Sequence, residues 1–313
     1  MKDRGEVSRM KWNSPYVLLL VATCLWGGNF VVGKALVTEI PPLTLALFRW
    51  GIALLCITPF WGRTVWQRRK IYLDNWKTVL FLSLTGVAGF NTFVYIAVQY
   101  TDSINASLMN AATPIIIVLL SMFFLGESFS GLRGLGIVIS LVGVLWIIGH
   151  GSWRSIVSLS FNRGDLWMLL AVFLWAMYSI GVRKTTGKFI AKEMLLITVL
   201  LSVIVLIPFS IVELSLSHPT LSGSWHTLAG VLYIGIFASL VAFSCWNKAV
   251  ALIGPSRCAS FLNFIPLFSA IFATLFTGER IQLYHVVGAL LILSGVYVTT
   301  RITAARNAFK NQV

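Results

Sequence analysis

Residues 114–127 read PIIIVLLSMFFLGE, and residues 266–279 read PLFSAIFATLFTGE. Each stretch runs from a proline through a helix-length apolar segment to a Gly-Glu pair, and the two lie 152 residues apart. The Gly-Val pair at Gly143 recurs at Gly295 with the same offset of 152 residues. The repeated spacing indicates an internal duplication in which each copy carries equivalent helices.

The duplication extends toward the start of each copy. Asn110 corresponds to Asn263 at an offset of 153 residues, a one-residue shift just before the proline. Trp26 corresponds to Trp175 at an offset of 149 residues, and each tryptophan follows a leucine. The two copies therefore cover most of the chain.

The composition requires an apolar solvent. Of the 313 residues, 58% are hydrophobic and 11% are charged, whereas an average soluble domain has about 25% charged residues. A soluble fold of this length lacks the interior to bury so much apolar surface. The composition predicts a protein embedded in a lipid bilayer.

A bilayer core needs about 20 apolar residues per helix. Ten apolar runs fit this length, and we number them as spans 1 to 10: 15–34, 43–61, 77–98, 104–125, 132–149, 165–183, 190–212, 226–250, 256–277 and 281–300. Five spans in each copy make the second copy enter the membrane from the opposite face. The predicted fold is an all-α membrane protein of ten transmembrane helices arranged as two inverted five-helix repeats.

These spans divide the chain into five segments. We expect a cytoplasmic N-terminal tail over 1–14, a first repeat over 15–149 and an external connecting loop over 150–164. A second repeat over 165–302 and a cytoplasmic C-terminal tail over 303–313 complete the chain.

The distribution of basic residues gives the orientation. With the N-terminus in the cytoplasm, 19 of the 24 lysines and arginines fall in or next to cytoplasmic segments. Four lie on the other side: Lys34, Arg154, Arg163 and Arg280. This bias predicts a multi-pass protein of the cell (plasma or inner) membrane with both termini cytoplasmic. It also attributes the net charge of +14 to membrane topology rather than to nucleic-acid binding.

Two further stretches carry a family resemblance. Residues 25–30 read LWGGNF, and Phe48-Arg49 lies within span 2. Together with the duplicated Pro, Gly-Glu and Gly-Val pattern, they resemble the EamA family of the drug/metabolite transporter superfamily, over roughly residues 15–302. The resemblance implies a ten-helix secondary transporter, often an exporter of amino acids or related metabolites, with a path formed mostly by spans 1, 3, 4, 6, 8 and 9.

Polar and aromatic residues inside the spans are the candidate substrate-binding residues. Trp26, Asn29 and Phe30 have spacings of three and four residues and share one helix face. Similar spacings join Asn91 to Tyr95 and Trp175 to Tyr178. The full set of expected cavity residues is Trp26, Asn29, Phe30, Asn91, Tyr95, Asn110, Trp175, Tyr178, Ser239, Phe243 and Asn263. The alternative is that the amides bond to neighbouring helices and have no ligand.

The repeated prolines and acidic residues have two interpretations each. Pro114 and Pro266 inside spans 4 and 9 are expected to kink helices that line the central path, or to be merely tolerated. Glu127 and Glu279 are expected either to cap helix ends or to act as gates at the two mouths.

Two cations near the outer side also have two interpretations. The side chains of Lys34 and Arg49 are expected to reach the outer membrane interface, since long basic side chains often do so. The alternative is an electropositive role facing an anionic or carboxylate-bearing substrate.

Motifs of enzymes and metal proteins are missing from the sequence. It contains no Walker A, HExxH or GxSxG pattern, and its four cysteines have no CxxC spacing. We therefore expect no enzyme activity, no cofactor and no metal, with a small-molecule substrate and the lipid bilayer as partners. The oligomeric state is left open. The alternatives to a transporter are a non-transporting membrane partner or receptor and an intramembrane lipid-processing enzyme.

Overall fold

The computed structural model describes residues 14–125, 131–154, 162–185, 187–217, 219, 223–253, 258 and 260–310. Within these residues, every regular element is a helix. We name ten helical elements of these residues α1 to α10 in chain order, and each overlaps one of the predicted spans.

The first five elements occupy residues 15–148. Their bounds are Pro15–Leu36 for α1, Pro42–Gln67 for α2, Trp76–Tyr100 for α3, Ser103–Leu125 for α4 and Gly131–Ile148 for α5. Helix α4 is broken into Ser103–Asn110 and Thr113–Leu125. A short connecting helix, Arg69–Asp74, joins α2 to α3.

The second five elements follow the same order. Their bounds are Arg163–Thr185 for α6, Ala191–Ser217 for α7, Trp225–Ile253 for α8, Phe264–Phe276 for α9 and Leu283–Lys310 for α10. A 3₁₀ turn, Ser260–Asn263, precedes α9. This turn takes the place that the first segment of α4 has in the first half.

Seven of these elements are long and apolar enough to cross a membrane: α1, α2, α3, α4, α6, α7 and α8. Shorter apolar helices over Gly134–Ile147, Phe261–Phe276 and Leu283–Gly295 lie within or overlap α5, α9 and α10. The described part of the chain is thus an all-helical bundle built around membrane-spanning helices.

The packing of the helices has the symmetry of the sequence duplication. Helix α1 packs on α8 and α9 of the second half, and α6 packs on α3 and α4 of the first half. Helices α2 and α7 pack on each other, as do α5 and α10. Exchanging each helix for its counterpart in the other half, five places away, turns the contacts of α1 into those of α6. The same exchange leaves the α2–α7 and α5–α10 pairs unchanged.

Both halves also contain a π-helical segment at the equivalent place. In α3 this segment is Ser83–Gly89, and in α8 it is Tyr233–Val241. The last residues of the two segments, Gly89 and Val241, are 152 residues apart. A π turn shifts the backbone hydrogen bonds by one residue, and such turns are frequent at functional sites.

Glycines bring helices of the two halves into close contact. A Cβ atom at Gly27 of α1 would lie 2.6 Å from the Cβ of Phe268 on α9. A Cβ atom at Gly143 of α5 would lie 2.9 Å from the backbone nitrogen of Ile292 on α10. These glycines allow tight helix packing, because any side chain there would displace the neighbouring helix.

The prolines lie at several different places in the helices. Pro114 is the second residue of Thr113–Leu125, and Pro266 is the third residue of α9. Each is in the first turn of its segment, where a backbone N–H has no intrahelical partner in any case. Pro59 and Pro208 lie inside α2 and α7, again 149 residues apart. The role of Pro114 and Pro266 as kinks that line a transport path stays a prediction.

Candidate functional site

A buried arginine lies between the two halves of the bundle. The side chain of Arg49 on α2 is 1% exposed. Its Nη1 donates to Asn29 Oδ1 at 2.8 Å and to the Tyr95 hydroxyl at 2.9 Å. Its Nε donates to Ser239 Oγ at 2.7 Å, and its Nη2 donates to the Ala238 carbonyl at 3.2 Å. One guanidinium therefore ties α2 to α1, α3 and α8.

The expectation that Arg49 extends to the outer membrane interface is wrong. Its partners are supplied by α1 and α3 of the first half and by α8 of the second, so the guanidinium stays inside the bundle. A buried cation is tolerated when polar groups replace its water shell. Lys34 on α1 does lie near the end of its helix, where its Nζ donates to the Thr101 carbonyl at 2.8 Å.

The π segment of α8 provides two of the four acceptors for this arginine. The Ala238 carbonyl accepts from Arg49 and also from Trp26 Nε1 at 3.0 Å. Ser239 Oγ donates to the Ile234 carbonyl at 2.8 Å, five residues earlier in the chain. Because the π turn directs these groups toward α1 and α2, the irregular backbone is part of the site.

An asparagine follows the corresponding segment of α3 by two residues. Asn91 Nδ2 donates to the Val87 carbonyl at 3.0 Å, within the π segment. The Tyr95 hydroxyl, one turn further along α3, donates to Asn29 Oδ1 at 3.0 Å. Asn29 Oδ1 thus accepts from both Tyr95 and Arg49, which fixes the orientation of the amide.

Next to this network is a small cavity between the two halves. It has about 30 Å³ of room for water, enough for one or two molecules. The first half lines it with Trp26, Asn29, Phe30, Arg49, Phe90, Asn91, Val94 and Asn110, and the second half with Trp175, Phe243, Leu262 and Ile265. In this conformation the cavity is too small for an amino acid.

Aromatic rings form much of the cavity wall. The Trp26 ring lies 6.2 Å from the Trp175 ring and 5.6 Å from the Phe243 ring, both in edge-to-face geometry. The Phe90 ring lies 4.8 Å from the Trp175 ring. Edge-to-face contacts hold rings in place while leaving faces for another apolar group. The cavity consequently combines an apolar wall with amides and a cation.

The structure brings most of the candidate site residues to this region. Seven of the eleven line the cavity: Trp26, Asn29, Phe30, Asn91, Asn110, Trp175 and Phe243. Tyr95 and Ser239 belong to the hydrogen-bond network of Arg49. The Tyr178 ring packs at 5.2 Å from that of Trp175 and against Gly86.

Asn263 lies elsewhere. It lines a separate apolar cavity of about 280 Å³ between α4, α9 and α10, together with Pro266 and His285. Its Oδ1 is buried without a hydrogen-bond partner among the described residues.

Several lining residues did not emerge from the sequence. Phe90, Val94, Leu262 and Ile265 are apolar residues within apolar runs, so nothing distinguishes them from lipid-facing positions. Arg49 carried a signal, since a cation inside a span is costly and therefore informative. Its burial depends on acceptors from Ala238 and Ser239, which the sequence does not reveal.

The acidic residues with contacts in the described chain lie at helix ends. Glu279 accepts from Ser103 N at 3.2 Å, Ser103 Oγ at 2.6 Å and Ile104 N at 3.2 Å, at the start of α4. Glu213 of α7 accepts from Leu43 N at 3.0 Å and Thr44 N at 2.8 Å, at the start of α2. These contacts are those of helix N-terminal caps. Glu127 lies outside the described residues, and the gating role of both glutamates stays a prediction.

The opposite ends of α2 and α7 meet at an ion pair. Arg68 Nη1 lies 3.2 Å from Glu193 Oε1, and the Tyr72 hydroxyl donates to Glu193 Oε2 at 2.5 Å. Burial and the neighbouring carboxylate raise the pKa of the Tyr72 phenol above its usual value. This contact joins the connecting helix to the start of α7.

Comparison with known proteins identifies the class of this chain. The family model "EamA-like transporter family" matches it twice, over residues 13–149 and 162–301. An "Uncharacterized transporter" of Archaeoglobus fulgidus is 30% identical over 291 residues, which cover 92% of this chain and 98% of the relative. The "Uncharacterized transporter YyaM" of Bacillus subtilis is 26% identical over 94% of this chain and 95% of its own length.

A further relative has a more specific name. The "Probable amino-acid metabolite efflux pump" of Escherichia coli is 26% identical over 94% of this chain and 97% of its own length. One solved crystal structure superimposes with a TM-score of 0.62 at 17% identity, covering 92% of this chain and 96% of the other, which is a likeness of fold. The two matched segments span most of the sequence, and this chain belongs to the EamA-like transporter family.

Proposed function

We propose that this protein is a secondary transporter that exports small organic metabolites, amino acids or related compounds, by alternating access. Its ten helices form two inverted five-helix repeats, with both termini in the cytoplasm of the cell. The substrate binds in the cavity beside Arg49. The observation that carries the proposal is a buried, partly polar cavity lined by residues of both halves.

The architecture is supported by three repeated features. The sequence offsets of 149 to 153 residues, the reciprocal helix packing and the paired π segments all relate one half to the other. Five helices per half give the two copies opposite orientations in the membrane. In inverted-repeat transporters, exchange of the two halves' conformations moves the opening from one face to the other.

The size of the cavity supports a cycle of opening and closing. Its room of about 30 Å³ holds water but no amino acid. The outer ends of α1, α2 and α4 are held by contacts of Lys34, Glu213 and Glu279, and the inner end of α2 is held by Arg68. Substrate entry on either side requires some of these contacts to separate, as alternating access demands.

The substrate class is supported by the cavity wall and by one relative. Amide groups and a guanidinium beside aromatic rings suit a ligand with a polar end and an apolar body. The E. coli relative named as an amino-acid metabolite efflux pump matches along almost its whole length. Together they favour amino acids or their derivatives, and export over uptake.

Reconstitution in liposomes tests the transport activity. Purified protein should give saturable counterflow of at least one compound from a panel of radiolabelled amino acids and their metabolites. Asn29→Leu removes an amide from the cavity and should lower the flux at least about tenfold, because a buried guanidinium loses an acceptor. Asn75→Leu, at an exposed asparagine of the turn before α3, is the matched control and should keep the flux.

Direction is tested in cells. Expression should raise resistance to toxic amino-acid analogues, whereas Asn29→Leu at the same membrane level should not. Greater sensitivity on expression would indicate uptake. Absence of saturable flux for every compound of the panel would refute the transport proposal.

A further inference from the structure

The guanidinium of Arg49 is a buried positive charge without an acidic partner among the described residues. The ion pair between Arg68 and Glu193 lies beyond the end of α2, away from Arg49. The atoms that contact Arg49 are neutral oxygens of Asn29, Tyr95, Ser239 and the Ala238 backbone. These neutral dipoles replace part of the hydration that the guanidinium loses on burial, but they do not neutralise its positive charge.

The hydrogen bonds of Arg49 leave one donor over. A guanidinium has five N–H groups, and four of them donate hydrogen bonds within the described chain. The fifth, on Nη2, has no acceptor there. Asn29, whose Oδ1 accepts two hydrogen bonds, likewise has an Nδ2 without an acceptor in the described chain. Two donors beside the cavity are thus available to an incoming oxygen.

Among the residues that the structure describes, no carboxylate lines the cavity. Its polar members are three asparagines and Arg49, and the rest are aromatic or aliphatic. An organic cation would meet a like charge without a counterion, which is unfavourable at low dielectric. An anionic oxygen pair would meet a guanidinium, the group that best matches carboxylate geometry.

We propose that Arg49 binds the carboxylate of the substrate, so the site takes carboxylates with an apolar body and does not require their amino group. This inference rests on the proposed function and narrows its substrate class. Amino acids and their deaminated acids bind, and the corresponding amines do not. The aromatic rings of Trp26, Trp175 and Phe243 receive the apolar body.

The test compares matched ligands on the unmodified protein. One set is L-phenylalanine, 3-phenylpropanoate and 2-phenylethylamine, and a second is L-leucine, 4-methylpentanoate and 3-methylbutylamine. Binding to purified protein in detergent is measured by calorimetry and by the shift in melting temperature. We expect both carboxylates of at least one set to bind within about tenfold of each other, and the amine to bind at least tenfold more weakly. Equal or tighter binding of the amine, or no carboxylate-dependent binding in either set, would overturn the proposal.

Variants at Arg49 sharpen the assignment. Arg49→Gln should weaken carboxylate binding at least tenfold and remove the preference over the amine. Arg49→Lys should keep the preference with an intermediate affinity, because it retains the charge without the fork. Arg69→Gln, at an exposed arginine of the connecting helix, is the control and should bind like the unmodified protein. Unchanged carboxylate binding in a folded Arg49→Gln protein would refute the role.

Failure of this inference is separable from failure of the transport proposal. Carboxylate binding in detergent with no flux in liposomes would leave Arg49 as the binding group of a protein that does not transport. Saturable flux with no carboxylate preference would leave a transporter whose substrate is held by other groups.

Discussion

The two halves of the bundle share a scaffold but differ in chemistry. At the positions of Asn29, Arg49 and Tyr95 in the first half, the offsets of 149 and 152 residues give Tyr178, Thr198 and Asn247 in the second. Thr198 is buried, and its hydroxyl donates to backbone carbonyls of its own helix. The first half therefore carries the cation and its neighbours, while the second half contributes the acceptors of α8 and apolar wall.

This difference shows that helix packing and substrate binding make different demands on the two halves. Reciprocal packing needs small residues where helices approach closely, and the repeated pair Gly143 and Gly295 supplies them in both halves. A substrate is not symmetric, so one polar end needs only one charged group. A second buried cation at Thr198 would need its own acceptors and would repel Arg49. The asymmetry fits the proposed binding of one carboxylate end of a substrate at Arg49.

The largest effect is expected from making the two halves alike at the cavity. Asn91 corresponds to Phe243 at an offset of 152 residues, and both line the cavity. Asn91→Phe adds an aromatic ring to a space of about 30 Å³ and removes the hydrogen bond to Val87. We expect liposome flux to fall by more than tenfold while membrane insertion is kept.

The control for this substitution is Asn75→Phe at the exposed turn before α3, which should transport normally. Flux of Asn91→Phe within twofold of the unmodified protein would show that the substrate does not pass this position.

The two halves also show which features of the fold and the site can be predicted from the sequence. The apolar runs and the offsets located the helices, because lipid contact imposes length and composition locally. The i, i+3 and i+4 spacing grouped Trp26, Asn29 and Phe30, because one helix face is a local property. Arg49 was misplaced, since its acceptors Ala238 and Ser239 lie about 190 residues away and depend on a π turn that has no clear sequence pattern.

Asn263 illustrates a second limit. It matches Asn110 in sequence, yet only Asn110 lines the central cavity. Asn110 ends an α-helical segment, whereas Asn263 ends a 3₁₀ turn. These geometries advance by 3.6 and 3.0 residues per turn, so equivalent residues point in different directions. The sequence match between Asn110 and Asn263 therefore did not predict the directions of their side chains.

A second prediction concerns the contact between the halves at α1 and α9. Gly27 corresponds to Ala176, so the second half already carries a methyl group at this place. In the first half, that methyl group would lie 2.6 Å from Phe268 Cβ and 2.9 Å from Ser269 N. We expect Gly27→Ala to lower the free energy of unfolding by about 1–3 kcal/mol through overpacking, measured as a lower melting temperature in detergent.

Gly51→Ala on α2 is the matched control, because a Cβ there meets no atom within 4 Å. Equal melting temperatures for the two variants would mean that α1 and α9 can accommodate a methyl group between them without loss of stability.

A third and smaller effect is expected at the start of α4. Glu279→Ala removes the acceptor for Ser103 N and Ile104 N. Loss of an N-terminal cap costs about 1 kcal/mol, so the melting temperature should fall by a few degrees. Glu279→Gln retains one acceptor oxygen, so its melting temperature should lie between those of Glu279→Ala and the unmodified protein. A loss of flux in Glu279→Gln with an unchanged melting temperature would instead favour the gating interpretation.

The smallest effect is expected at the inner end of the α2–α7 pair. The start of α2 is capped by Glu213 through backbone N–H groups, whereas the start of α7 presents Glu193 to Arg68. The Arg68 side chain is 40% exposed, and pairs of this kind contribute at most about 1 kcal/mol.

Arg68→Gln should therefore lower the melting temperature by less than Glu213→Ala does, because Tyr72 continues to donate to Glu193. The Arg68→Gln loss should shrink at high salt, which screens exposed pairs. An effect as large as that of Glu213→Ala would mean that the two ends of this helix pair are held equally firmly.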